Sequence, residues 1–230
     1  MRAVFLSDAH LDALDDPVQA RLVAFLDALG ADRLVLVGDT FHRWWDLGPG
    51  VFPAYLPAAA ALERVARRGI AVDFLRGNHD FAFSEATGAA LGVRVADDVE
   101  LVCDGVKVRA LHGDRAITAR RYHAYHGLLR GPAFDLALRL AGPRRAWVVL
   151  GRLAGPVHKQ GRCPSRLLDE QRAMARGLLA QGADLVVMGH SHVPELTSWP
   201  EGRYLNPGSF RDPGSWAEIL DGEVRLHSAQ

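Results

Sequence analysis

The sequence predicts a mixed α/β fold that contains both parallel and antiparallel strands. Short runs rich in Val, Leu and Ile, bounded by turn residues, indicate buried strands, and helical patterns separate several of them. Asp104-Gly105 and Asp221-Gly222 each divide two extended apolar segments, which is typical of an antiparallel hairpin. A purely parallel, doubly wound sheet is therefore disfavoured.

Five apolar runs and three amphipathic segments give the elements of this fold. The runs predict strands at 3–6, 34–37, 72–75, 106–111 and 185–188. Between several of them, apolar residues recur at spacings of three and four, which predicts helices at 17–29, 56–68 and 166–181. This alternation is typical of α/β architecture.

Composition limits the domain organisation and the partners. The chain has 230 residues, 49% of them apolar, which suits a single domain over 1–230. Its 27 basic residues equal its 27 acidic ones, so no global field attracts long nucleic acid. Cys103 and Cys163 stand in no paired motif, and the N-terminus shows no signal-peptide pattern, so we expect reduced thiols and a cytoplasmic protein.

Residues 115–166 differ from the rest of the chain, because they are rich in arginine and helical in pattern. Apolar clusters at 134–140 and 147–153 lie between Gly-Pro steps at 131–132, 142–143 and 155–156, so we interpret 115–166 as a helical insertion, a cap or lid. Apolar segments flanked by arginine could hold this cap peripherally at the inner membrane. A solvated helix face explains most of the arginines equally well; they are Arg115, Arg120, Arg121, Arg144, Arg145, Arg152, Arg162 and Arg166.

Polar side chains follow five of the predicted strands. Loops at the carboxyl ends of strands in an α/β sheet converge on one crevice, so we expect these side chains to meet there. The five tails are Asp8-Ala9-His10, Gly38-Asp39, Gly77-Asn78-His79-Asp80, His112-Gly113-Asp114 and Gly189-His190-Ser191-His192.

The residue types in these tails predict a site for two metal ions. Two divalent cations about 3.5 to 4 Å apart repel each other, so they need an anionic bridge, and Asp39 is the predicted bridge. The glycine before Asp39 lets the chain turn sharply there. Asp8 and His10, two residues apart on an extended segment, should point the same way and share one ion. His190 and His192 repeat that spacing.

Asn78 and His112 complete the predicted ligand set. Oxygen and nitrogen donors together suit Mn, Fe, Zn or Co better than Ca or a thiolate-bound metal. An ion pair lowers the pKa of bound water from near 16 toward about 7, which supplies a nucleophile at neutral pH. His79 is placed to stabilise charge or donate a proton at a phosphoryl group, and Asp80 to orient His79 or a ligand.

Each motif is weak evidence by itself, and only the complete set is specific. A lone D-x-H is common, and a single histidine after a strand is more often structural than a ligand. Five such loops in sequence favour a shared metal site. The other histidines belong to no such loop and are assigned structural roles; they are His42, His123, His126, His158 and His227.

The motifs D-x-H, G-D, G-N-H-D, H-G-D and G-H-S-H between Asp8 and His192 resemble those of the calcineurin-like metallophosphoesterases. The resemblance implies two packed mixed β-sheets flanked by helices and a dinuclear phosphoester hydrolase. His79 matches the family's phosphate-contacting histidine, a proton donor to the leaving group. The implied ligands are Asp8, His10, Asp39 and His192 for one ion, and Asp39, Asn78, His112 and His190 for the other.

Within that family the chain looks like the UDP-2,3-diacylglucosamine hydrolases, in its length, its H-G-D motif and its helical insertion. The resemblance implies that a lipid-linked nucleotide sugar of lipid A biosynthesis is split into UMP and 2,3-diacylglucosamine 1-phosphate, usually with Mn. The insertion would hold the acyl chains with the clusters around Phe134 and Trp147, although ordinary helix packing explains these equally well. Substrate contacts are expected at Asn78, His79, Tyr122, Arg115 and Arg121.

Two departures leave the substrate open. Those hydrolases have G-N-R-D where this chain has His79, and Asn206-Pro207-Gly208-Ser209 resembles the ending of general phosphodiesterases of the family. The alternative function is therefore a soluble phosphodiesterase or phosphatase acting on a nucleotide or a phosphoprotein. A scaffold that has lost catalysis is disfavoured, because all seven predicted ligands are present.

Overall fold

The computed structural model describes residues 1–46, 52–155 and 163–228, which form eleven strands and seven α-helices. The strands are β1 (Ala3–Leu6), β2 (Arg33–Val37), β3 (Ala71–Leu75), β4 (Arg94–Ala96), β5 (Asp98–Cys103), β6 (Val106–Leu111), β7 (Leu185–Met188), β8 (Glu195–Trp199), β9 (Gly202–Asn206), β10 (Trp216–Leu220) and β11 (Glu223–His227). The helices are α1 (Pro17–Asp27), α2 (Leu56–Arg67), α3 (Glu85–Ala90), α4 (Arg120–Leu129), α5 (Pro132–Ala141), α6 (Pro143–Ala154) and α7 (Ser165–Leu179).

The strands form two mixed sheets, as the sequence predicts. The first has the order β11-β10-β1-β2-β3-β4, with β1 to β4 parallel, and the second has the order β5-β6-β7-β9-β8, with β6, β7 and β9 parallel. Both predicted hairpins are present, and their Asp and Gly residues all have positive φ, the conformation that a tight hairpin turn requires. The bounds of the predicted strands and helices agree with the structure within two residues.

Alternating residues of the central strands fill two different cores. Ala3 and Phe5 of β1 face the second sheet, where Val108 and Val187 lie. Val4 and Leu6 face the helices α1 and α2 on the other side. Because both faces of β1 are buried, its sequence is continuously apolar rather than alternating. The helix α7 covers the outer face of the second sheet, so the order of layers is helix, sheet, sheet, helix.

The helices α4, α5 and α6 make up most of the predicted insertion. Pro132 and Pro143 stand at the starts of α5 and α6, where a missing backbone N–H has no cost, so the Gly-Pro steps separate helices as expected. Arg166, however, lies in α7, whose buried residues Gln171 and Ala175 belong to the core of the sandwich. The sequence pattern could not separate the last cap residue from the first residue of a core helix. His158 and Arg162 lie outside the described residues.

Candidate metal centre

Five strand-end loops lie side by side at one edge of the two sheets. The parallel strands β1, β2 and β3 end there in the first sheet, and β6 and β7 end there in the second. Hydrogen bonds continue beyond the strands: the Asp8 amide donates to the Gly38 carbonyl at 3.1 Å, and the Gly189 amide donates to the His112 carbonyl at 2.9 Å. These bonds fix the loops relative to one another.

The first group of side chains contains Asp8, His10 and His192. Asp8 Oδ1 lies 3.1 Å from His192 Nε2 and 3.7 Å from His10 Nε2. The two imidazole Nε2 atoms are 3.2 Å apart. Three potential donor atoms therefore surround one point.

The second group contains Asn78, His112 and His190. His112 Nε2 lies 3.1 Å from Asn78 Oδ1, and the His112 and His190 ring centroids are 5.0 Å apart. Asp39 stands between the groups, since its Oδ2 lies 3.4 Å from His112 Nε2 and 3.7 Å from His10 Nε2. The structure thus brings all seven side chains into two groups that meet at Asp39.

The donor set fits two divalent cations. Asp8 Oδ1 and His10 Nδ1 are buried and make no hydrogen bond of normal geometry with the described residues. Buried polar atoms without a partner are costly, and a bound cation would satisfy the carboxylate. Carboxylate, amide and imidazole donors together suit a transition metal such as Mn, Fe or Zn.

Backbone strain is concentrated at these ligands. Asp8, His10, Asp39, His190 and His192 have positive φ, at 55°, 44°, 52°, 68° and 60°. Only two other non-glycine residues of the described chain share this conformation, Asp104 and Asp221 in the hairpin turns. The left-handed conformation costs a non-glycine residue about 1 to 3 kcal/mol and is typical of functional sites.

The backbone at Asp8 and His10 is not extended, contrary to the prediction from their spacing. Neither residue lies on an extended segment, because the strand β1 ends at Leu6 and both residues are left-handed. The side chains converge because of that turn and not because of strand alternation. His190 and His192 converge in the same way.

Asp80 supports the loop that bears Asp39. Its carboxylate accepts hydrogen bonds from the backbone amides of Gly77 at 2.7 Å and Thr40 at 2.8 Å. Burial, with the charge of Asp39 beside it, raises the pKa of Asp80 to about 7. Of the two predicted roles of Asp80, orienting His79 or orienting a ligand, the described contacts fit the second, since His79 Nδ1 lies 2.9 Å from the backbone carbonyl of His42.

Gln171 and Asn206 support the loop of His190 and His192. The side-chain amides of both residues donate to the Gly189 carbonyl at 2.9 Å. Asn206 Nδ2 also donates to Ser191 Oγ at 2.9 Å. The Asn206-Pro207-Gly208-Ser209 motif therefore holds metal-centre loops in place, and Ser209 Oγ completes this by donating to the Asp8 carbonyl at 2.9 Å. Sequence reasoning did not find Gln171, because nothing in a helical pattern marks a buried polar side chain.

Charges within the metal-free centre shift several pKa values. Burial opposes the charge of His112, but Asp39 beside it raises the net pKa of His112 well above its usual value. Burial likewise acts against the charge of His192, and Asp8 raises its net pKa. Burial, with the charge of His112, lowers the pKa of His190 to about 4. Burial acts to raise the pKa of Asp39 while His112 lowers it, and the net pKa is well below the usual range.

His42 lies at this centre, although only a structural role was predicted for it. Its ring stacks on His79 with centroids 5.0 Å apart, and a ring nitrogen of each lies within 4.8 Å of one of His10. His42 Nε2 lies 2.9 Å from the carbonyl of Gly155, at the end of α6. Burial lowers the pKa of His42 to about 3, so its ring is neutral and donates this bond. No motif marks His42, which follows Asp39 by three residues.

The expected substrate-contacting residues of the cap differ in their placement. The Tyr122 ring lies 6.4 Å from the His190 ring, between centroids, so Tyr122 faces the centre. Arg115 forms an ion pair with Asp97 at 2.8 Å and lines a cavity of about 450 Å³ that His112 also lines. Arg121 is exposed on α4. A second cavity, of about 140 Å³, is lined by Asn78 and His79.

The layered sandwich and the aspartate-bridged donor set define a class, and comparison with known proteins identifies it. The chain belongs to the calcineurin-like phosphoesterase superfamily, whose domain model matches residues 1–220. The protein is a metal-dependent phosphoester hydrolase. A structure described as a novel archaeal phosphodiesterase has a TM-score of 0.53 and 13% identity over the whole of both chains, which shows the fold alone.

Among the curated proteins to which the chain is similar are UDP-2,3-diacylglucosamine hydrolases. The UDP-2,3-diacylglucosamine hydrolase of Nitrosococcus oceani is 32% identical over 205 residues, which cover 85% of this chain and 80% of the relative. The UDP-2,3-diacylglucosamine hydrolase of Aeromonas salmonicida is 30% identical over 242 residues, which cover 98% of this chain and 92% of the relative.

Proposed function

We propose that the protein hydrolyses the pyrophosphate of UDP-2,3-diacylglucosamine to UMP and 2,3-diacylglucosamine 1-phosphate. One observation supports this most directly. The cavity next to Asn78 and His79 is completed by apolar side chains of the cap, namely Leu129, Phe134, Leu150 and Leu153. A substrate that joins a phosphoryl group to acyl chains matches such a boundary between polar and apolar walls. The curated relatives act on a substrate of this kind by their names.

We further propose that the two groups of ligands bind two ions, with Mn as the expected metal. Asp8, His10, Asp39 and His192 would bind one, and Asp39, Asn78, His112 and His190 the other. When bound, the ions supply an activated water and Lewis acidity at the phosphoryl oxygens. The convergence of the seven side chains supports this assignment, as does the buried Asp8 Oδ1 atom, which lies 3.1 Å from His192 Nε2 and 3.7 Å from His10 Nε2.

His79 would act as the proton donor to the leaving group. Its Nδ1–H donates to the His42 carbonyl, which fixes the ring and leaves Nε2 for the substrate. Burial lowers the pKa of His79, against the opposing effect of Asp39. A bound diphosphate adds negative charge, which favours the protonated imidazole. His79 can then hold a proton at the leaving oxygen.

The cap offers a second apolar surface for acyl chains. A groove of about 760 Å³ lies along α6, and Arg43 lines both this groove and the smaller cavity beside His79. Its apolar lining includes Leu14, Phe52, Trp147 and Val148. Trp147 also packs on Phe52, at 4.9 Å between ring centroids, so it supports the cap as well as lining the groove. Acyl chains that leave the small cavity would continue along this groove.

The cap also suits contact with a bilayer surface. Residues 120–154 contain seven arginines and one aspartate, whereas the whole chain is neutral. Leu128 and Leu140 on this segment are 68% and 80% exposed. Exposed leucines among arginines favour the interface of an anionic membrane. None of the described helices has the length and hydropathy needed to cross a bilayer.

A general phosphodiesterase or phosphatase, acting on a nucleotide or a phosphoprotein, is the second candidate. The observation that favours it is His79, which stands where the lipid-sugar hydrolases have arginine. The small size of the cavity beside it would also suit a compact ester.

One assay separates the two candidates. The Mn-loaded protein is incubated with UDP-2,3-diacylglucosamine, bis-p-nitrophenyl phosphate and p-nitrophenyl phosphate, and UMP and p-nitrophenol are measured. We expect release of UMP at a much higher kcat/KM than either chromogenic ester shows. If the lipid substrate stays intact while bis-p-nitrophenyl phosphate is cleaved, the protein is a general phosphodiesterase. Parallel assays with metal-free protein control for chemical hydrolysis.

A further inference from the structure

One face of α4 presents three polar side chains toward the metal centre. Tyr122, His126 and Arg130 are spaced by four residues, so their side chains form one row on the same face. Tyr122 and His126 lie within α4, and Arg130 is the first residue after it. We propose that this row is a second phosphate-binding surface, which holds the non-reacting phosphoryl group of a diphosphate diester. The proposal rests on the proposed function for the reacting group, which the metal centre holds. His126 and Arg130 are the new residues in this assignment.

The Tyr122 hydroxyl is buried beside Asp114 and has no hydrogen bond of normal geometry among the described residues. A buried hydroxyl that lacks a well-formed hydrogen bond is unfavourable, so a ligand oxygen at this position would improve its hydrogen bonding. The Tyr122 ring lies 6.4 Å from the His190 ring between centroids, so this side chain stands beside the metal centre.

His126 repeats this arrangement one turn further along the helix. Its ring lies 4.2 Å from the Tyr122 ring between centroids, and its Nδ1 is buried and unpartnered within the described residues. His126 lines the cavity of about 140 Å³ together with Asn78 and His79. Three imidazoles, those of His42 and His79 from the core and that of His126 from the cap, therefore line the same small space.

Arg130 supplies the positive charge of the row. Its guanidinium lies over the Phe81 ring, 5.1 Å from the centroid, and its Nη2 is 3.7 Å from Asp114 Oδ2, which is too long for a strong bidentate pair. Arg130 lines the larger cavity with His112, while His126 lines the smaller one. Phe81 lines both cavities, so the row spans the wall between them.

The position of the row argues for two phosphoryl groups instead of one. A simple phosphodiester held by the metal centre would leave the His126 Nδ1 atom without an acceptor, and would leave Tyr122 and Arg130 with Asp114 as their nearby anion. A diphosphate places a second set of oxygens directly beside the first. Hydrogen-bond donors with one guanidinium are the groups that recognise such oxygens.

The experiment measures binding of two probes to the Mn-loaded protein by titration calorimetry. The probes are UMP and uridine 5′-(α,β-methylene)diphosphate, whose bridge resists hydrolysis. We expect the diphosphate analogue to bind more tightly than UMP. His126→Ala and Arg130→Ala should each weaken binding of the analogue by about 10- to 100-fold and binding of UMP by less than 3-fold. Arg130→Lys should recover part of the loss, because it keeps the charge.

Matched controls are His123→Ala, an exposed histidine of the same helix, and Arg67→Ala, an exposed arginine of α2. Both should bind the two probes like the parent protein. Near-ultraviolet circular dichroism and Mn content establish that each variant is folded and loaded. The proposal is overturned if these variants bind both probes more weakly to the same extent, or if they bind the analogue as tightly as the parent protein does. If the variants lose affinity for the analogue selectively but the parent protein leaves UDP-2,3-diacylglucosamine intact, the phosphate-binding surface is supported and only the proposed substrate is contradicted.

Discussion

Asp39 is the residue on which the candidate metal centre depends most. Its Oδ2 is the atom within 3.7 Å of a histidine from each ligand group, and its Oδ1 accepts the His79 amide at 2.9 Å. One carboxylate therefore joins both groups and the loop that bears His79. Its left-handed backbone, with φ of 52°, turns the carboxylate into the centre.

Replacement of this bridge gives the first prediction. Asp39→Ala should lose at least one of two bound Mn ions per chain and lower kcat/KM by more than about 100-fold, since even partners of metal ligands alter affinity or activity 10- to 100-fold. Elemental analysis and the chromogenic assay measure both effects. The exposed Asp169, replaced by Ala, is the matched control and should match the parent protein. Full metal content with undiminished activity in Asp39→Ala would contradict the assignment.

The ion pair of His112 with Asp39 gives a prediction for the metal-free protein. Because the folded-state pKa of His112 is raised, its protonated form stabilises the fold fully below about pH 6.5, the ordinary value. This contribution is lost as the pH rises through the raised pKa. The histidines with lowered pKa values, such as His190, are neutral in the folded protein, and the unfolded chain loses their remaining protons by about pH 7.5. They therefore add only a small opposing slope at the start of this range.

The free energy of unfolding of the metal-free protein should therefore fall between about pH 6.5 and 9. The expected decrease is about 1.4 kcal/mol for each unit by which the pKa is raised. Urea denaturation at several pH values measures it. His112→Gln should make the decrease smaller without abolishing it, because the pKa values of His192 and Asp80 are raised as well. Mn should also reduce the decrease, because metal binding favours the neutral imidazole. A metal-free protein that gains stability over this range would refute the prediction.

At the scale of elements, the strand ends need glycine for space as well as for conformation. A Cβ atom on Gly77 would lie 2.1 Å from Asp39 Oδ1 and 2.5 Å from the Asp39 amide nitrogen. A Cβ atom on Gly38, whose φ is +85°, would lie 2.4 Å from His112 Nδ1. The glycines that precede the ligands therefore let neighbouring loops approach closely.

Gly77→Ala tests this close approach. The added methyl group meets backbone that cannot move freely, so we expect displacement of Asp39 and a loss of activity of about 100-fold, similar in kind to the loss of a ligand's support. Gly177→Ala is the matched control, because Gly177 is exposed in α7 with open space around it. The control should be fully active and up to about 1 kcal/mol more stable, from helix propensity. Activity assays and urea denaturation of both variants distinguish these results, and an active Gly77→Ala would show that the loops have room.

At the scale of the whole molecule, the cap and the sandwich differ in charge. The segment 120–154 is strongly basic, while the entire chain is neutral, so the basic charge is concentrated where the exposed leucines lie. The segment that follows Asp39 attaches this cap: Trp45 Nε1 donates to Asp135 at 2.9 Å, and the Arg43 guanidinium lies 4.2 Å from the centroid of a Trp147 ring. Cap position and metal-centre position are thus connected through one short stretch of chain.

Vesicle binding tests the proposed orientation of the cap. We expect the protein to sediment with vesicles that contain anionic phosphatidylglycerol more than with zwitterionic vesicles, and less as salt is raised. Leu128→Ser with Leu140→Ser should weaken binding by 10-fold or more, since each buried leucine contributes about 1.5 to 3 kcal/mol. Val102→Ser, which changes an exposed residue of β5, should have no effect. Equal binding of the leucine variant and the parent would exclude contact through the cap.

Local sequence patterns determined much of the fold and predicted the residues that the structure brings together at the candidate metal centre. The strands that bear the ligands are buried on both faces, so they are continuously apolar, and the polar residue after each one stands out. Asp104-Gly105 and Asp221-Gly222 determine hairpins through a local preference for positive φ. The short strands β8 and β9 were not predicted, because Glu195–Trp199 is half-exposed and mostly polar, although the two strands pair with each other in a local antiparallel hairpin.

What only the tertiary structure decided is which residues meet across the chain. His42, His126 and Gln171 carry no motif, and they reach the centre through the stacking of His42 on His79, the approach of α4, and the packing of α7. The left-handed turn at Asp8 and His10 could not be predicted from the sequence either, because neighbouring loops impose it against local preference. Propensity and periodicity act over a few neighbouring residues and can be read from sequence, whereas these contacts join residues far apart in the chain and exist only after the sheets and helices have packed.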